Sequence, residues 1–265
     1  MKIKRAVVCL NSSPLYSGMW DILAEVYEKT TDIIPTLIFC GTKDELEKEV
    51  KTDFGEVYIF PQYKEFVERP DLDWTVTWTL FWAIANKFPD DVCCFTGIDE
   101  LPISAVLWEK ISKIPDNKYI VGLGSKPYGD FEHIASGHNI GKGSTFKKIL
   151  DIHSDLKVEL NRVWELRYDL SRCNFGWNLE DNGWWGMDEA YISSKLYDHP
   201  DVVFIDNDWV SENLQSKKID RMFNCSYDIH RLNTKDYWTA HLIRPITDPN
   251  KKEIVLRLLK DMGIR

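Results

Sequence analysis

Several familiar signatures are missing from this sequence, and each absence removes a class of function. No Gly-x-Gly-x-x-Gly follows the first apolar run, where the turn reads Asn11-Ser12-Ser13-Pro14-Leu15-Tyr16-Ser17-Gly18, so a Rossmann dinucleotide site is excluded. No Gly-x-x-x-x-Gly-Lys-Ser/Thr occurs, which excludes a P-loop. No apolar run approaches the roughly 18 residues of a membrane span. Long Lys/Arg runs are absent and the net charge is −9, which argues against a nucleic-acid backbone as partner. The six cysteines (9, 40, 93, 94, 173 and 225) lack metal-type spacing, and four fall in apolar runs. They read as reduced, buried small hydrophobes of a cytoplasmic protein. Cys93 and Cys94, being adjacent, point to opposite faces of their strand. Repeats, low-complexity tracts and Pro- or Gly-rich linkers are also missing, so one domain over 1–265 is expected.

What is present is 44% apolar and 13% aromatic over 265 residues, with eleven tryptophans. Met1-Lys2-Ile3-Lys4-Arg5 before Ala6–Leu10 has the charge order of a signal peptide. Its apolar stretch is short and Asn11-Ser12-Ser13-Pro14 ends it, so it reads as a first strand, Arg5–Leu10. Strand and helix then alternate. Helix 18–30 carries a Trp20, Leu23, Val26, Tyr27 stripe, and strand 35–40 precedes a charged helix 43–50. Strand 56–60, aromatic helix 74–88, strand 92–95, helix 103–111 and strand 119–123 follow. This rhythm implies a mainly parallel sheet through residue 123. After Gly124 it breaks. A strand at 133–140, helices at 144–153 and 157–170, a loop at 173–185, helix 188–197, strand 202–205 and helix 253–262 are expected, with antiparallel strands joining the sheet. Ser144 is expected to cap its helix after Gly141-Lys142-Gly143.

The chemistry-bearing residues lie at the ends of apolar runs. Val92-Cys93-Cys94-Phe95 leads into Thr96-Gly97-Ile98-Asp99-Glu100, and Leu101-Pro102 is read as closing the strand. Acidic oxygens at the carboxyl end of a parallel strand stand where open α/β sheets bind ligands, and hard divalent cations take such donors. Asn11 and Ser12 end the first strand with side chains suited to a base or ribose. A second acidic pair follows two tryptophans in Trp184-Trp185-Gly186-Met187-Asp188-Glu189. Indole faces suit a pyranose, and a carboxylate beside them can serve as base or nucleophile; compensation of a helix dipole is the bland alternative. His241 shares Tyr237–Pro245 with Arg244, a good phosphate ligand, and His138 is a further candidate.

In this order the pieces resemble glycosyltransferases of the GT-A fold. Gly97-Ile98-Asp99 matches the end of that family's Asp-x-Asp metal motif, followed by its apolar-Pro pair as Leu101-Pro102, with Gly97 where the first aspartate is customary. The stretch Trp185–Ile205, with Asp188-Glu189 opening a helix, looks like the Trp-x-Asp-Glu acceptor region of retaining galactosyltransferases of the blood-group type. A late histidine near metal and diphosphate is similarly common, and His241 matches it. The resemblance implies an α/β, GT-A-like fold, with a Rossmann-type, mainly parallel central sheet flanked by helices and mixed strands in the C-terminal half. Residues 1–125 would bind the nucleotide and 126–265 the sugar and acceptor. It further implies a Mn2+ or Mg2+ ion on Asp99 and His241, and nucleotide contacts from Asn11, Ser12, Thr42 and Arg244. Trp184, Trp185 and His138 would form the sugar and acceptor side, and Asp188 and Glu189 would be catalytic. The donor would be a nucleotide-diphosphate sugar, and the acceptor a glycan, a lipid-linked sugar or a protein. A non-catalytic nucleotide- or sugar-binding protein on a decayed transferase fold is the alternative, supported by Gly97. Nucleotidyl transfer is disfavoured because Asn11–Gly18 holds no Lys or Arg for a triphosphate.

Overall fold

The computed structural model describes residues 1–68, 73–102, 106–121, 139–171, 178–184, 186–204, 218–219, 239–241 and 247–264. The elements run β1 (Arg5–Asn11), α1 (Met19–Thr30), β2 (Ile34–Cys40), α2 (Lys43–Glu49), β3 (Glu56–Phe60), α3 (Trp74–Lys87), β4 (Val92–Phe95) and β5 (Glu100–Pro102). They continue with α4 (Val106–Ser112), β6 (Tyr119–Val121), β7 (Asn139–Lys142), α5 (Gly143–Ile149), α6 (Leu156–Glu165), α7 (Arg167–Leu170), α8 (Met187–Leu196), β8 (Val202–Phe204), β9 (Lys218–Ile219), β10 (Thr239–His241) and α9 (Pro249–Asp261).

Among the described residues, seven strands form the central sheet in the order β3-β2-β1-β4-β7-β6-β8. β1 to β4 are mutually parallel, β7 runs antiparallel to both β4 and β6, and β8 is parallel to β6. Strand order reverses beside β1, which makes the carboxyl ends of β1 and β4 the topological switch point. The remaining strands form a second sheet in the order β5-β10-β9.

The central sheet is covered on both faces. Val8, Leu10 and Cys94 pack with α1 and α9, whereas Val7, Ile38 and Cys93 pack with α3, α5, α6 and α8. Cys93 and Cys94 thus do point to opposite faces, and their thiols are free. The α1 stripe of Trp20, Leu23, Val26 and Tyr27 is buried as its spacing predicts. α3 is apolar almost all round because the sheet lies on one side and α5, α6 and α8 on the other.

Three local expectations are corrected. Ser144 does not cap α5: the helix starts at Gly143, with Lys142 before it and no side-chain cap. The amides of Gly143 and Ser144 donate instead to the carbonyls of Asp91 (3.1 Å) and Pro89 (2.8 Å). A Cβ on Gly143 would stand 2.3 Å from the carbonyl oxygens of Ile84 and Phe88, so close approach demands glycine there. The single helix expected over 157–170 is two, because the Leu166 amide tightens onto Val163 O at 3.1 Å and ends α6. Leu101-Pro102 does not close β4 either. β4 stops at Phe95, and Glu100, Leu101 and Pro102 form the separate strand β5.

Charge at the amino ends of the parallel strands is closely paired. The buried Arg5 guanidinium donates to Asp91 (2.7 Å) and Glu56 (2.7 Å) and lies 4.5 Å over the Phe88 ring. Lys4 reaches the other Asp91 oxygen at 2.7 Å, and the Tyr58 hydroxyl donates to Glu56 at 2.9 Å. Desolvation works to raise the carboxyls of Asp91 and Glu56, but their hydrogen bonds from Lys4, Arg5 and Tyr58 outweigh it and hold both low.

Candidate active site

At the carboxyl edge of β1, β2 and β4 the chain gathers side chains of a different kind. β1 ends at Asn11, in register with Cys40, the last residue of β2. Beyond β2, Thr42 caps α2: its hydroxyl accepts from the Glu45 amide, while the Thr42 amide (2.8 Å) and hydroxyl (2.9 Å) donate to the Glu45 carboxylate. That hydroxyl is engaged within its own helix. Ser12 Oγ lies 3.5 Å from Glu49 at the end of the same helix.

Past β4, the Thr96 amide returns to Val7 O at 3.2 Å and the Glu100 amide to Gly97 O at 3.0 Å, closing a tight turn. Asp99 and Glu100 leave this turn only 6% and 5% exposed. Their side chains fold over Gly97. A Cβ built there would meet Asp99 Oδ1 at 3.0 Å, Glu100 Cγ at 3.2 Å and the Glu100 carboxyl carbon at 3.6 Å. The space of the missing first aspartate is therefore filled by the next two acids. Burial raises the Cys94 thiol and the Tyr27 hydroxyl, followed by repulsion from Cys93 and Cys94 respectively, and the charge of Glu100 adds to both. This places the pair on the α1 side of the sheet.

The second acidic pair approaches from the α3 side. Gly183, Trp184 and Gly186 all adopt left-handed φ (61°, 65° and 82°), a sharp entry that delivers Met187 to α8. Asp188 is 5% exposed, and Glu189 is half-buried. Burial, then the charge of Glu189, pushes the Asp188 carboxyl well above the usual carboxylate range, despite the favourable amides of the helix start. Asp188 in turn acts on Cys9, whose thiol is pushed up to about 12, first by removal from water and with added repulsion from Asp188 and Asp73. Cys9 Sγ lies 4.0 Å from Thr77 Oγ1 in the first turns of α3. The two acidic pairs thus flank the carboxyl ends of β1 and β4 from opposite faces.

α8 is held there by a buried network. Tyr191 packs edge-on to Trp78 (4.8 Å between centroids) and donates to Leu150 O at 3.1 Å. Trp78 Nε1 donates to the fully buried Glu159 at 3.1 Å, which also accepts from Arg162 at 2.8 Å and from the His153 amide at 2.9 Å.

His241 enters through the backbone: β10 runs antiparallel to β5 with His241 opposite Glu100. His138, Trp185 and Arg244 lie outside the described residues. Among the described residues no three His, Cys, Asp or Glu side chains form a metal-binding group. Trp184 departs from its expected role at a sugar. It is 2% exposed, set edge-on to Trp164 (6.0 Å) and Tyr168 (5.3 Å), and has no open ring face to offer. Sequence reasoning passed over Asp73, which caps α3 at this edge by accepting from the Thr75 amide at 2.9 Å and Gln62 at 2.8 Å. An aspartate directly before an aromatic helical run was the available signal.

No helix among the described residues is long and apolar enough to cross a membrane. No protein-family model matches the chain, and no curated protein matches it in sequence. Solved structures do match. Galactosyltransferase LgtC in complex with donor and acceptor sugar analogues is 9% identical, with a TM-score of 0.54 over 95% of this chain and 94% of that one. An active-site mutant of LgtC gives 11% identity and a TM-score of 0.53 over the same shares. The glycosyltransferase GlyE of Streptococcus pneumoniae TIGR4 is 6% identical with a TM-score of 0.47, and the match covers 79% of this chain but only 46% of GlyE. Strand order, the antiparallel β7 and the LgtC superpositions agree: the chain has the mixed α/β architecture of the GT-A glycosyltransferases.

Proposed function

We propose that the protein is a glycosyltransferase that moves a sugar from a nucleotide-diphosphate sugar to a hydroxyl of a glycan, lipid-linked sugar or protein. One observation carries this reading: two carboxylate pairs, Asp99-Glu100 and Asp188-Glu189, flank the switch point of a sheet whose solved neighbour LgtC binds donor and acceptor sugar analogues. Asn11 and Ser12 would meet the base and ribose, and Arg244 with His241 the diphosphate. Trp185 and His138 would border the sugar and acceptor.

Asp99, joined by Glu100 over Gly97, offers hard oxygen donors that suit Mn2+ or Mg2+, with His241 opposite Glu100 in the β5–β10 pairing. When bound there, such an ion supplies a Lewis acid that neutralises charge on the departing diphosphate. In the transfer the bond from the anomeric carbon to the diphosphate oxygen breaks, and a bond to the acceptor oxygen forms. The acceptor hydroxyl gives up its proton to a carboxylate. The buried Asp188 holds its proton tightly and suits a hydrogen-bond donor to a sugar oxygen. The less buried Glu189 is assigned to the reacting centre.

Release of nucleoside diphosphate from a panel of nucleotide-sugars tests the reading. Glu189→Gln and Asp188→Asn should each lose turnover with little change in donor affinity, because the missing interaction belongs to the transition state. Full turnover by both variants overturns the assignment. A protein that binds a nucleotide-sugar but never releases the nucleotide, with any acceptor, would instead be the binding protein that Gly97 in the metal motif favours.

A further inference from the structure

Strand β3 forms one edge of the central sheet, and among the described residues its only strand partner is β2. The Gly41 amide donates to Phe60 O at 2.9 Å, so Phe60 turns its peptide groups toward β2. In a parallel pair alternate residues do this. Glu56, Tyr58 and Phe60 therefore bond inward, while Val57 and Ile59 aim both N–H and C=O away from the sheet. No lysine, proline or bulge interrupts these five residues, although such devices ordinarily blunt an open edge. The side chains add to the opening: Val57 is 36% exposed, Ile59 44%, and Phe54 just before the strand 40%.

The open ladder is closed off at both ends. Gly55 turns away at φ 76° and gives its N–H to Glu28 at 3.3 Å, and Pro61 has no N–H to offer. What is left is self-complementary. When a second copy lies antiparallel with Tyr58 opposite Tyr58, Val57 of each copy faces Ile59 of the other, and each such pair exchanges two hydrogen bonds. Every outward N–H of the two strands then finds an acceptor. Sliding the copies along the ladder sets Ile59 against Gly55 or Val57 against Pro61, and neither has a free N–H.

Charge selects the same arrangement. Glu56, the one charged residue of the strand, falls opposite Phe60, whereas parallel pairing would run two Glu56 side chains together. On the α3 side, where Tyr58 packs on Phe88, the two Tyr58 side chains become a cross-strand pair. On the other side Val57 and Ile59 form two apolar cross-strand pairs.

We propose that β3 is a self-association edge, through which two copies of this chain pair antiparallel with their two-fold axis at Tyr58. Two seven-stranded sheets are thereby joined edge to edge. Because the joined strands run oppositely, the two carboxyl edges point in opposite directions, each away from the other. The pairing goes beyond the transferase reading and does not depend on it. A five-residue edge supplies less than the roughly 800 Å² per partner of a tight complex, so the dimer is a reversible one.

Sedimentation of the full chain from about 5 to about 300 µM should show the mass rising from 31.0 kDa towards twice that value. Since each copy carries a net charge of −9, added salt should tighten the dimer rather than dissociate it. Ile59→Lys puts an ammonium on the edge at a position that bonds nothing in β2. This variant should stay monomeric throughout, with the thermal midpoint of the dilute parent. Phe204→Lys, at the opposite edge in β8, should dimerise as the parent does. Tyr58→Cys reads the register: mild oxidation should link position 58 of the two copies, because facing Cα atoms of a non-hydrogen-bonded pair stand about 4.5 Å apart, within disulfide reach. A parent that is monomeric at every concentration, a dimer that salt dissociates, one undiminished by Ile59→Lys, or a Tyr58→Cys dimer without that link overturns the proposal.

Discussion

At the amino end of the central sheet, Arg5 is clasped by Asp91 and Glu56, and Lys4 completes the neutralisation. At the carboxyl end of the same strands, acids meet acids: Asp99 folds beside Glu100 over Gly97, and Asp188 lies buried beside Glu189. Among the described residues Asp188 makes no ion pair. One end lowers its carboxyl pKa values and gains stability from charge. The other raises one and loses stability, which is the usual signature of an edge kept for a ligand.

The comparison breaks most visibly at Asp91. Asp91→Ala leaves Arg5 buried with half its partners and should cost about 3 kcal/mol at pH 7, read from urea unfolding. Because the folded Asp91 carboxyl sits below its unfolded value, its contribution is complete above that unfolded value. The contribution disappears as pH falls through the lowered folded one, so parent and variant should converge in acid. Gly143→Ala, next to the same end, should cost about 2 kcal/mol by forcing β7 and α5 away from the Ile84 and Phe88 carbonyls.

Asp188 predicts the reverse sign. Its raised pKa means that the folded protein binds the proton more tightly than the unfolded chain, so stability falls as pH rises above the unfolded value of about 3.9. Asp188→Asn should therefore stabilise the fold at pH 8, by on the order of 1 kcal/mol. The gain should vanish below about pH 4. Loss of activity with gain of stability in one variant would separate a functional acid from a structural one. Thr42→Ala should show the smallest effect, about 1 kcal/mol or less from the lost capping box. Since that hydroxyl already serves Glu45, nucleotide affinity should change little; a large loss would return Thr42 to the ligand.

The sequence made the parallel half legible because its periodicities are local. β3 and β4 fall on the expected residues, and the apolar stripe of α1 is buried as its spacing requires. That antiparallel pairing enters the sheet after residue 123 was also visible, but β7 spans Asn139–Lys142, meeting the expected 133–140 only at its end and taking in Gly141 and Lys142, which read as a turn. What escaped depended on long-range contact. Gly143 looks like a turn glycine until the carbonyls of α3 are seen against it, and Trp184 looks like a sugar platform until Trp164 and Tyr168 cover it. The turn that returns Thr96 to Val7 and lets β5 leave for a second sheet has no periodic signal, because its partner β10 lies far along the chain.

The most direct test of the central claim is thermal unfolding with nucleotide-diphosphate sugars, with and without manganese, for the parent and for Asp99→Asn. The carboxyl edge is claimed as a metal-assisted donor site, so one sugar nucleotide should raise the parent midpoint only with manganese. A ligand at 100 times its dissociation constant adds about 2.7 kcal/mol. Asp99→Asn should keep the unliganded midpoint and lose the shift. An equal shift in Asp99→Asn, or no shift in the parent with any nucleotide-sugar, would contradict the account.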